Sequence, residues 1–220
     1  KKKIAFVHNA MWEMYNFRGE LLQELKAKGY EITVICPPDE KNAHYFTDLG
    51  IKLLTVPMSR KGTNIKEDLQ LVKNLFKVYK KEKFDLVFHY TIKPNIYGTL
   101  AAKLAGIKSI AITTGLGYVF LHNNITSLIA KFMYKFSLAF ANEVWFLNDD
   151  DMNIFLDKDL ITERQAFKLP SEGINTKRFV PKEKNRKDSK TVFLMIARVL
   201  YDKGFNEYLE AAKLIKAQKK

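Results

Sequence analysis

Short apolar runs alternate with helix-like stretches along the first two thirds of the chain. Ile4 to Val7, Ile32 to Ile35 and Ile51 to Val56 have the length and apolar content of strands in a sheet that is covered on both faces. The stretches between them repeat apolar residues every three or four positions, as amphipathic helices do. Strands that alternate with helices predict an α/β fold with a Rossmann-like, doubly wound parallel sheet.

The clearest strand-helix-strand unit lies in the middle of the chain. An apolar run, Phe84 to Phe88, leads into the polar turn His89 to Pro94, and Asn95 is placed to cap the helix that follows. A second run, Ser109 to Ile112, opens into the Thr- and Gly-rich turn Thr113 to Gly117. Ligands of open α/β sheets bind at the carboxyl ends of the strands, so we expect the functional site there.

Two helices carry apolar stripes that we expect to face the sheet. In the first helix the stripe consists of Phe17, Leu21, Leu22 and Leu25. In the helix that Asn64 and Glu67 are placed to cap, it consists of Ile65, Leu69, Val72, Phe76 and Tyr79.

The amino-acid composition of the sequence changes after Leu169. Proline and glycine punctuate a connector that ends in a polar run, residues 182–190, which indicates a domain boundary. We therefore assign residues 1–185 to an N-terminal domain and residues 186–220 to the start of a second domain. Thr191 to Ile196 is expected to form a buried strand, with a helix from Phe205. One strand and one helix cannot form a core, so we expect the second domain to be truncated.

The composition suggests several kinds of binding partner and does not identify one. The chain has 37 Lys and Arg against 24 Asp and Glu, a net charge of +13. A lysine-rich surface without a specific partner explains this charge as well as attraction to anionic lipid, nucleic acid or a diphosphate does. The single cysteine, Cys36, suits a reducing cytosol and supplies no metal cluster. The sequence shows neither a membrane-spanning stretch nor an export signal.

A set of short motifs, in a fixed order and spacing, carries a resemblance to a known family. The motifs are Phe17-Arg18, Thr91 to Gly98, Thr114 to Tyr118, Glu172 to Asn175 with Phe179 and Pro181, and Ala197-Arg198 with Lys203-Gly204. In these residues the chain resembles the retaining glycosyltransferases of family four, which have the two-domain GT-B architecture. More narrowly, it looks like the bacterial enzymes that add a sugar to an undecaprenyl-diphosphate-linked saccharide for glycan, capsule or O-antigen assembly.

The resemblance implies an activity and a location. We expect transfer of a hexose or N-acetylhexosamine from a nucleotide-sugar, a UDP-sugar in the simplest case, to a polyprenyl-diphosphate-linked saccharide with retention, in cell-surface polysaccharide or glycan synthesis. The nucleotide-sugar is a co-substrate, and neither a cofactor nor a metal is expected. The enzyme is expected to be cytoplasmic, peripheral at the inner face of the cytoplasmic membrane, and without a nucleic-acid partner.

The same resemblance implies that residues 1–185 bind the acceptor, that residues 186–220 begin a donor-binding domain, and that the fragment is inactive. It also supplies candidates for the donor site. Arg198 and Lys203 match a family pair that contacts the donor diphosphate, although an exposed basic pair would look alike. Gly115 and Gly117 would let the backbone approach a ligand closely, although an ordinary tight turn also explains them. Many family members have histidine where this chain has Thr114, so no catalytic imidazole is assigned. If the leaving phosphate takes the proton, no protein nucleophile is needed and the catalytic residues stay unknown.

Candidates for the acceptor site lie at the predicted strand ends. Lys93 and Asn95 could hold a diphosphate or the first sugar, or they could be an ordinary helix start with an exposed lysine. Arg18 is a further candidate for acceptor binding. Alternatively, it is a surface arginine whose aliphatic side-chain carbons pack over the edge of the sheet. The remaining acceptor candidates are four polar residues, His8, Asn9, His89 and Thr114. For His8, Asn9 and His89 the alternative is a purely structural role.

Aromatic and basic residues after the central unit predict a membrane-facing element. It comprises the loop residues Tyr118, Phe120 and Leu121 and the helix residues Lys131 and Lys135. Rings can enter the headgroup boundary while ammonium groups meet anionic lipid. Aromatic residues at helical spacing also occur in protein cores, and one side of this helix can pack while the other is exposed.

Two other functional classes have less support in the sequence. A noncatalytic, basic Rossmann-like module that binds a membrane surface or nucleic acid is compatible with the lysines, but the sequence has no RRM, KH or helix-turn-helix signature. A dinucleotide oxidoreductase is disfavoured because the loop from His8 to Trp12 lacks the G-x-G-x-x-G fingerprint.

Overall fold

The computed structural model describes residues 1–59, 64–116, 120, 125–170, 172–181, 191–197, 199 and 201–218. Contacts divide the chain into one unit of residues 1–173 and another of residues 174–220. The predicted domain boundary at residue 185 lies in segment 182–190, outside the described residues, and stays a prediction.

Seven strands of the first unit form one sheet in the order β3-β2-β1-β4-β5-β6-β7, and every neighbouring pair is parallel. They are β1 (Lys3–Val7), β2 (Glu31–Cys36), β3 (Lys52–Thr55), β4 (Leu86–Tyr90), β5 (Lys108–Thr113), β6 (Glu143–Phe146) and β7 (Ala166–Lys168). This arrangement confirms the predicted α/β fold. The edge strand β7 escaped prediction because three residues are too few to show a periodic pattern.

Helices cover the sheet on both faces. They are α1 (Met11–Ala27), α2 (His44–Asp48), α3 (Ile65–Glu82), α4 (Thr99–Ala105), α5 (Ile125–Leu138) and α6 (Asp149–Asp157), with α7 (Phe205–Gln218) in the second unit. Alternate residues of β1 point to opposite sides, so that Phe6 packs with α1 whereas Val7 packs with α3 and α4. A third apolar cluster joins α5 and α6 to β5 and β6.

The predicted apolar stripes are rotated relative to the faces that are buried. On α3 the buried residues are Asp68, Leu71, Leu75 and Tyr79, whereas Ile65 is exposed. On α1 the buried residues include Met14, Arg18 and Leu22, whereas Phe17 and Leu21 are exposed. The predictions are confirmed for Tyr79 and Leu22, which are buried, and for Val72, Phe76 and Leu25, which pack against the core. They were wrong for the exposed members of each stripe, because the buried faces include Asp68 and Arg18, whose ion pairs an apolar pattern does not reveal.

The helix after β4 begins earlier than predicted. Helical residues start at Ile92, a π-helical turn spans Pro94–Gly98, and α4 continues from Thr99 to the left-handed Gly106. Asn95 therefore lies inside the first helical turn and does not cap it. Gly98 is required here, because a Cβ on it would come within 2.5 Å of the His89 ring.

The second unit differs from its prediction in one element. Residues 191–196 form no strand, and Val192, Phe193, Leu194 and Ile196 are exposed. A strand needs a hydrogen-bonded neighbour, and no strand lies among the described residues of this unit. The predicted helix from Phe205 is present as α7.

Candidate ligand site at the carboxyl edge of the sheet

Because all seven strands are parallel, their carboxyl ends lie along one edge of the sheet, here called the carboxyl edge. His8, Thr91 and Thr114 each follow directly after a strand, β1, β4 and β5 respectively. The register pairs Tyr90 of β4 with Ile112 of β5. The structure thus gathers at this edge most of the residues that the sequence suggested as ligands.

Thr91 turns the chain sharply from β4 into the helix. Its φ angle of 70° lies in the left-handed region, which a β-branched residue rarely adopts. Its carbonyl oxygen accepts a hydrogen bond from the Asn95 backbone N–H (2.9 Å), whereas its buried Oγ1 has no partner. Backbone strain of this kind clusters at ligand sites in folded proteins.

Asn95 links the two central strands at this edge. Its side chain is buried, and Nδ2 donates to the carbonyl oxygen of Ile112 at 3.1 Å, whereas Oδ1 has no partner. Thr113, the last residue of β5, also has a buried hydroxyl without a partner. Burial raises the pKa of the neighbouring Tyr134, and a hydrogen bond from Asn95 opposes that rise. Sequence reasoning did not select Thr91 or Thr113, although both stood in the turns it marked.

Lys93 is buried in an ion pair. Its Nζ donates to Oδ1 of Asp68 (2.6 Å) and to Oγ of Ser59 (2.8 Å), and the Tyr97 hydroxyl donates to Oδ2 of the same carboxylate (2.8 Å). Burial and this carboxylate raise the pKa of Tyr97. A cleft of about 400 Å³ at the end of β3 is lined in part by Ser59, Asp68 and Lys93. The Lys93 charge is thus compensated by the protein, and its role toward a ligand stays a prediction.

Arg18 reaches the carboxyl edge from α1. Its guanidinium lies over the ring of Tyr90, with Cζ 4.2 Å from the ring centroid, and Nη2 forms an ion pair with Oε1 of Glu172. Nε is buried without a partner. Burial raises the pKa of Tyr90 to about 12, which the Arg18 charge opposes. Sequence reasoning missed this use of Glu172, because 154 positions separate the pair.

Both predicted histidines are fixed by protein contacts. His89 is fully buried, with Nε2 2.9 Å from the Tyr79 hydroxyl and Nδ1 3.4 Å from Oγ1 of Thr99. Burial lowers the pKa of His89 to about 3, so the ring is neutral. Nδ1 of His8 accepts a hydrogen bond from the Ala10 backbone N–H at 2.9 Å. This geometry gives no support to a ligand contact by His89, and the half-buried Asn9 stays a candidate.

The candidates for the donor site are only partly described. Thr114 and Gly115 are exposed, and Gly115 has a φ of 145° with no atom near the position of a Cβ. Lys203 is exposed in a 3-10 turn of the second unit, Tyr201–Lys203. Gly117 and Arg198 lie outside the described residues, as do the membrane candidates Tyr118 and Leu121.

Helix α5 has one buried and one exposed apolar face. Tyr134 and Leu138 pack into the core, and Phe120 stacks against Phe155 with the ring centroids 5.0 Å apart. Phe120 therefore packs toward the protein, contrary to the expectation that it faces a membrane. The exposed apolar residues, here called the α5 stripe, are Ile125, Leu128, Ile129, Phe132 and Phe136, joined by Phe140. Among the described residues, no helix combines the length and hydropathy that a membrane span requires.

Comparisons with known proteins agree with this architecture. Residues 3–148 match the glycosyl transferase 4-like family. The chain is 32% identical, over 233 aligned positions and 97% of its length, to the N,N'-diacetylbacillosaminyl-diphospho-undecaprenol alpha-1,3-N-acetylgalactosaminyltransferase of Campylobacter jejuni. It is 26% identical, over 84% of its length, to the UDP-Gal:alpha-D-GlcNAc-diphosphoundecaprenol alpha-1,3-galactosyltransferase of Escherichia coli. The chain spans 61% and 50% of the length of these two relatives.

Solved structures share the fold at lower identity. A glycosyltransferase from Rickettsia africae superposes with a TM-score of 0.53 at 19% identity, covering 76% of this chain and 42% of that one. The structure of the UDP-GlcNAc 2-epimerase from Neisseria meningitidis bound to UDP-GlcNAc superposes with a TM-score of 0.58 at 15% identity. The match covers 77% of this chain and 47% of the epimerase chain.

Proposed function

Because the chain belongs to the glycosyl transferase 4-like family, we propose that its protein transfers a sugar from a nucleotide-sugar to a saccharide linked to a polyprenyl diphosphate. The observation that carries the proposal is the group of buried, unpartnered polar atoms on Thr91, Asn95 and Thr113 at the carboxyl edge. A fold loses stability by burying such atoms, and a sugar hydroxyl or amide group can pair with them. Both curated relatives are named for transfer to diphosphoundecaprenol-linked sugars.

The residues of the first unit would hold the acceptor. The Thr91 and Thr113 hydroxyls can donate and accept, and Oδ1 of Asn95 can only accept, so an uncharged group bearing O–H or N–H suits them. Tyr90, which precedes Thr91, and Tyr134, a neighbour of Asn95, are buried in two apolar clusters beside these polar atoms. Such a mixture of apolar surface and a few convergent polar groups is typical of small-molecule sites.

The donor half of the reaction is proposed on the family resemblance. In the departing nucleoside diphosphate, negative charge grows on the β-phosphate, and fixed cations with backbone N–H groups stabilise it. Arg198, Lys203, Gly115 and Gly117 are our candidates for this role, with a UDP-sugar as donor and no metal. Retention of configuration follows if the acceptor oxygen attacks the face that the phosphate leaves and gives its proton to that phosphate.

The activity test is a panel of labelled UDP-, GDP- and dTDP-sugars with polyprenyl-diphosphate-linked GlcNAc and diacetylbacillosamine as acceptors. The protein expressed from its complete gene is assayed beside the 220-residue chain, and reactions without acceptor serve as controls. Transfer that depends on the acceptor supports the proposal, and the anomeric configuration of the product tests retention. A folded protein that transfers no sugar from any donor would refute it and favour a noncatalytic module.

We further propose that the protein binds the inner face of the cytoplasmic membrane through the α5 stripe. Phe132 is 68% exposed and Ile125 is 77% exposed, and helix α5 has two lysines and no acidic residue. An interfacial helix combines such apolar residues with cations that meet anionic headgroups. A second copy packed on the same stripe would bring like charges together in a symmetric interface.

Vesicle binding tests the membrane proposal. We expect the protein to sediment with vesicles containing phosphatidylglycerol and much less with phosphatidylcholine alone. Phe132→Ser combined with Phe136→Ser should abolish this binding. The matched control is Ile65→Ser with Leu69→Ser, which removes two exposed apolar side chains from α3 instead. Equal loss in both double variants, or no loss in either, would remove α5 as the docking surface.

A further inference from the structure

Arg18 has a donor that the protein does not use. Its side chain is only 4% exposed and lies against Tyr90, the last residue of β4, so the guanidinium is held at the carboxyl edge. Nη2 is paired with Glu172, but the buried Nε has no hydrogen-bond partner. A buried N–H without an acceptor lowers the stability of a fold, so this arrangement requires an explanation.

Glu172 approaches Arg18 from the side that solvent can reach. Its side chain is 26% exposed, compared with 4% for that of Arg18. It precedes Gly173, which has a φ of 76° and is the last residue of the first unit. The carboxylate therefore ties the end of this unit to the guanidinium, and it can leave without unpacking the core.

We propose that a diphosphate group binds Arg18 in exchange for the Glu172 carboxylate. A guanidinium matches phosphate oxygens in pairs, and a diphosphate has more charge and more acceptor oxygens than one carboxylate. Two oxygens of such a ligand can accept hydrogen bonds from Nε and Nη2, which lie on the same edge of the guanidinium. The inference rests on the proposed function, because nucleotide-sugars and polyprenyl-linked saccharides both carry this group.

The exchange links ligand binding to the carboxyl-terminal end of the first unit. While Glu172 is paired with Arg18, the residue before Gly173 is held on α1. When a diphosphate takes its place, the carboxylate is released and that restraint on the peptide is removed. Glu172 thus acts as a competitor that a ligand of sufficient charge must displace.

Titration calorimetry with inorganic pyrophosphate tests the exchange on the protein expressed from its complete gene, at fixed ionic strength. Glu172→Gln should bind pyrophosphate about five- to tenfold more tightly, because a competing charged hydrogen bond is lost. Arg18→Met should bind about tenfold more weakly, with Arg18→Lys between it and the wild type. In the Arg18→Met background, Glu172→Gln should change nothing further.

A matched control separates this effect from the loss of one negative charge on a basic protein. Glu24→Gln changes the same charge on the exposed face of α1, and we expect its affinity to stay within about twofold of the wild type. Equal affinity in the wild type and Glu172→Gln would show that the pair is only structural. Unchanged binding in Arg18→Met would place the anion elsewhere. No sugar transfer is measured, so these outcomes are independent of the activity panel.

Discussion

The burial of His89 predicts how the stability of the fold depends on pH. The ring lies beneath the π-helical turn, between Tyr79 and Thr99, and burial lowers its pKa from 6.5 to about 3. In the unfolded chain the same residue takes up a proton near pH 6.5. Between these two values only the unfolded state binds the proton, so stability falls as the pH falls.

The magnitude follows from the linkage between proton binding and folding. Each pH unit between 6.5 and about 3 lowers the free energy of unfolding by about 1.4 kcal/mol for one group. From pH 6.5 to pH 4.5, His89 therefore lowers the free energy of unfolding by about 2 to 3 kcal/mol. This is a large part of the stability of an ordinary domain.

Urea unfolding at pH 7.5, 6.5, 5.5 and 4.5 measures the effect. We compare the wild type with His89→Gln, whose amide can keep the bond to Tyr79, and with His44→Gln, which alters an exposed histidine. The wild type and His44→Gln should lose stability in parallel, whereas His89→Gln should lose about 1.4 kcal/mol less per pH unit below 6.5. A His89→Gln curve parallel to that of the wild type would refute the assignment of a buried, neutral ring.

Three further predictions concern other buried polar groups. Asp68→Asn leaves the Lys93 ammonium buried without its carboxylate, so the free energy of unfolding measured in urea should fall by about 3 to 5 kcal/mol. Adding Lys93→Met to this variant should recover part of that stability. Thr113→Val removes a buried hydroxyl that has no partner, so the free energy of unfolding should rise by about 1 to 3 kcal/mol while the acceptor KM rises; unchanged kinetics would take Thr113 out of the site. Burial raises the pKa of Cys36 to about 12, so iodoacetamide at pH 8 should label it only after unfolding, as mass spectrometry would show.

The strands followed from the sequence more readily than the helix faces did. A strand buried on both faces, such as Ile4 to Val7, is marked by its own residues. The face that a helix buries depends on partners elsewhere in the chain. Asp68 is buried because Lys93, 25 positions later, lies under it, and no periodicity in α3 reports that contact.

The candidate site was predictable in position but not in its contacts. Parallel strands place Thr91, Asn95 and Thr114 at one edge, so their neighbourhood could be inferred. The start of the helix at Ile92 could not, because it depends on the left-handed backbone of Thr91. That conformation is unfavourable for threonine in isolation and is maintained by the surrounding fold.

The carboxyl edge contains two energetically different sets of polar groups, and the difference bears on where a ligand binds. Lys93 is neutralised by Asp68, and His89 is neutral with both ring nitrogens in contact with hydroxyls, so these groups gain little from a ligand. Among the described residues, the buried side-chain atoms without a partner belong to Arg18, Thr91, Asn95 and Thr113. Each lowers the stability of the free protein by about 1 to 3 kcal/mol, which a ligand that pairs with it can restore. Binding energy is therefore available beside β4 and β5, and variants there should affect ligand affinity more than variants of Lys93.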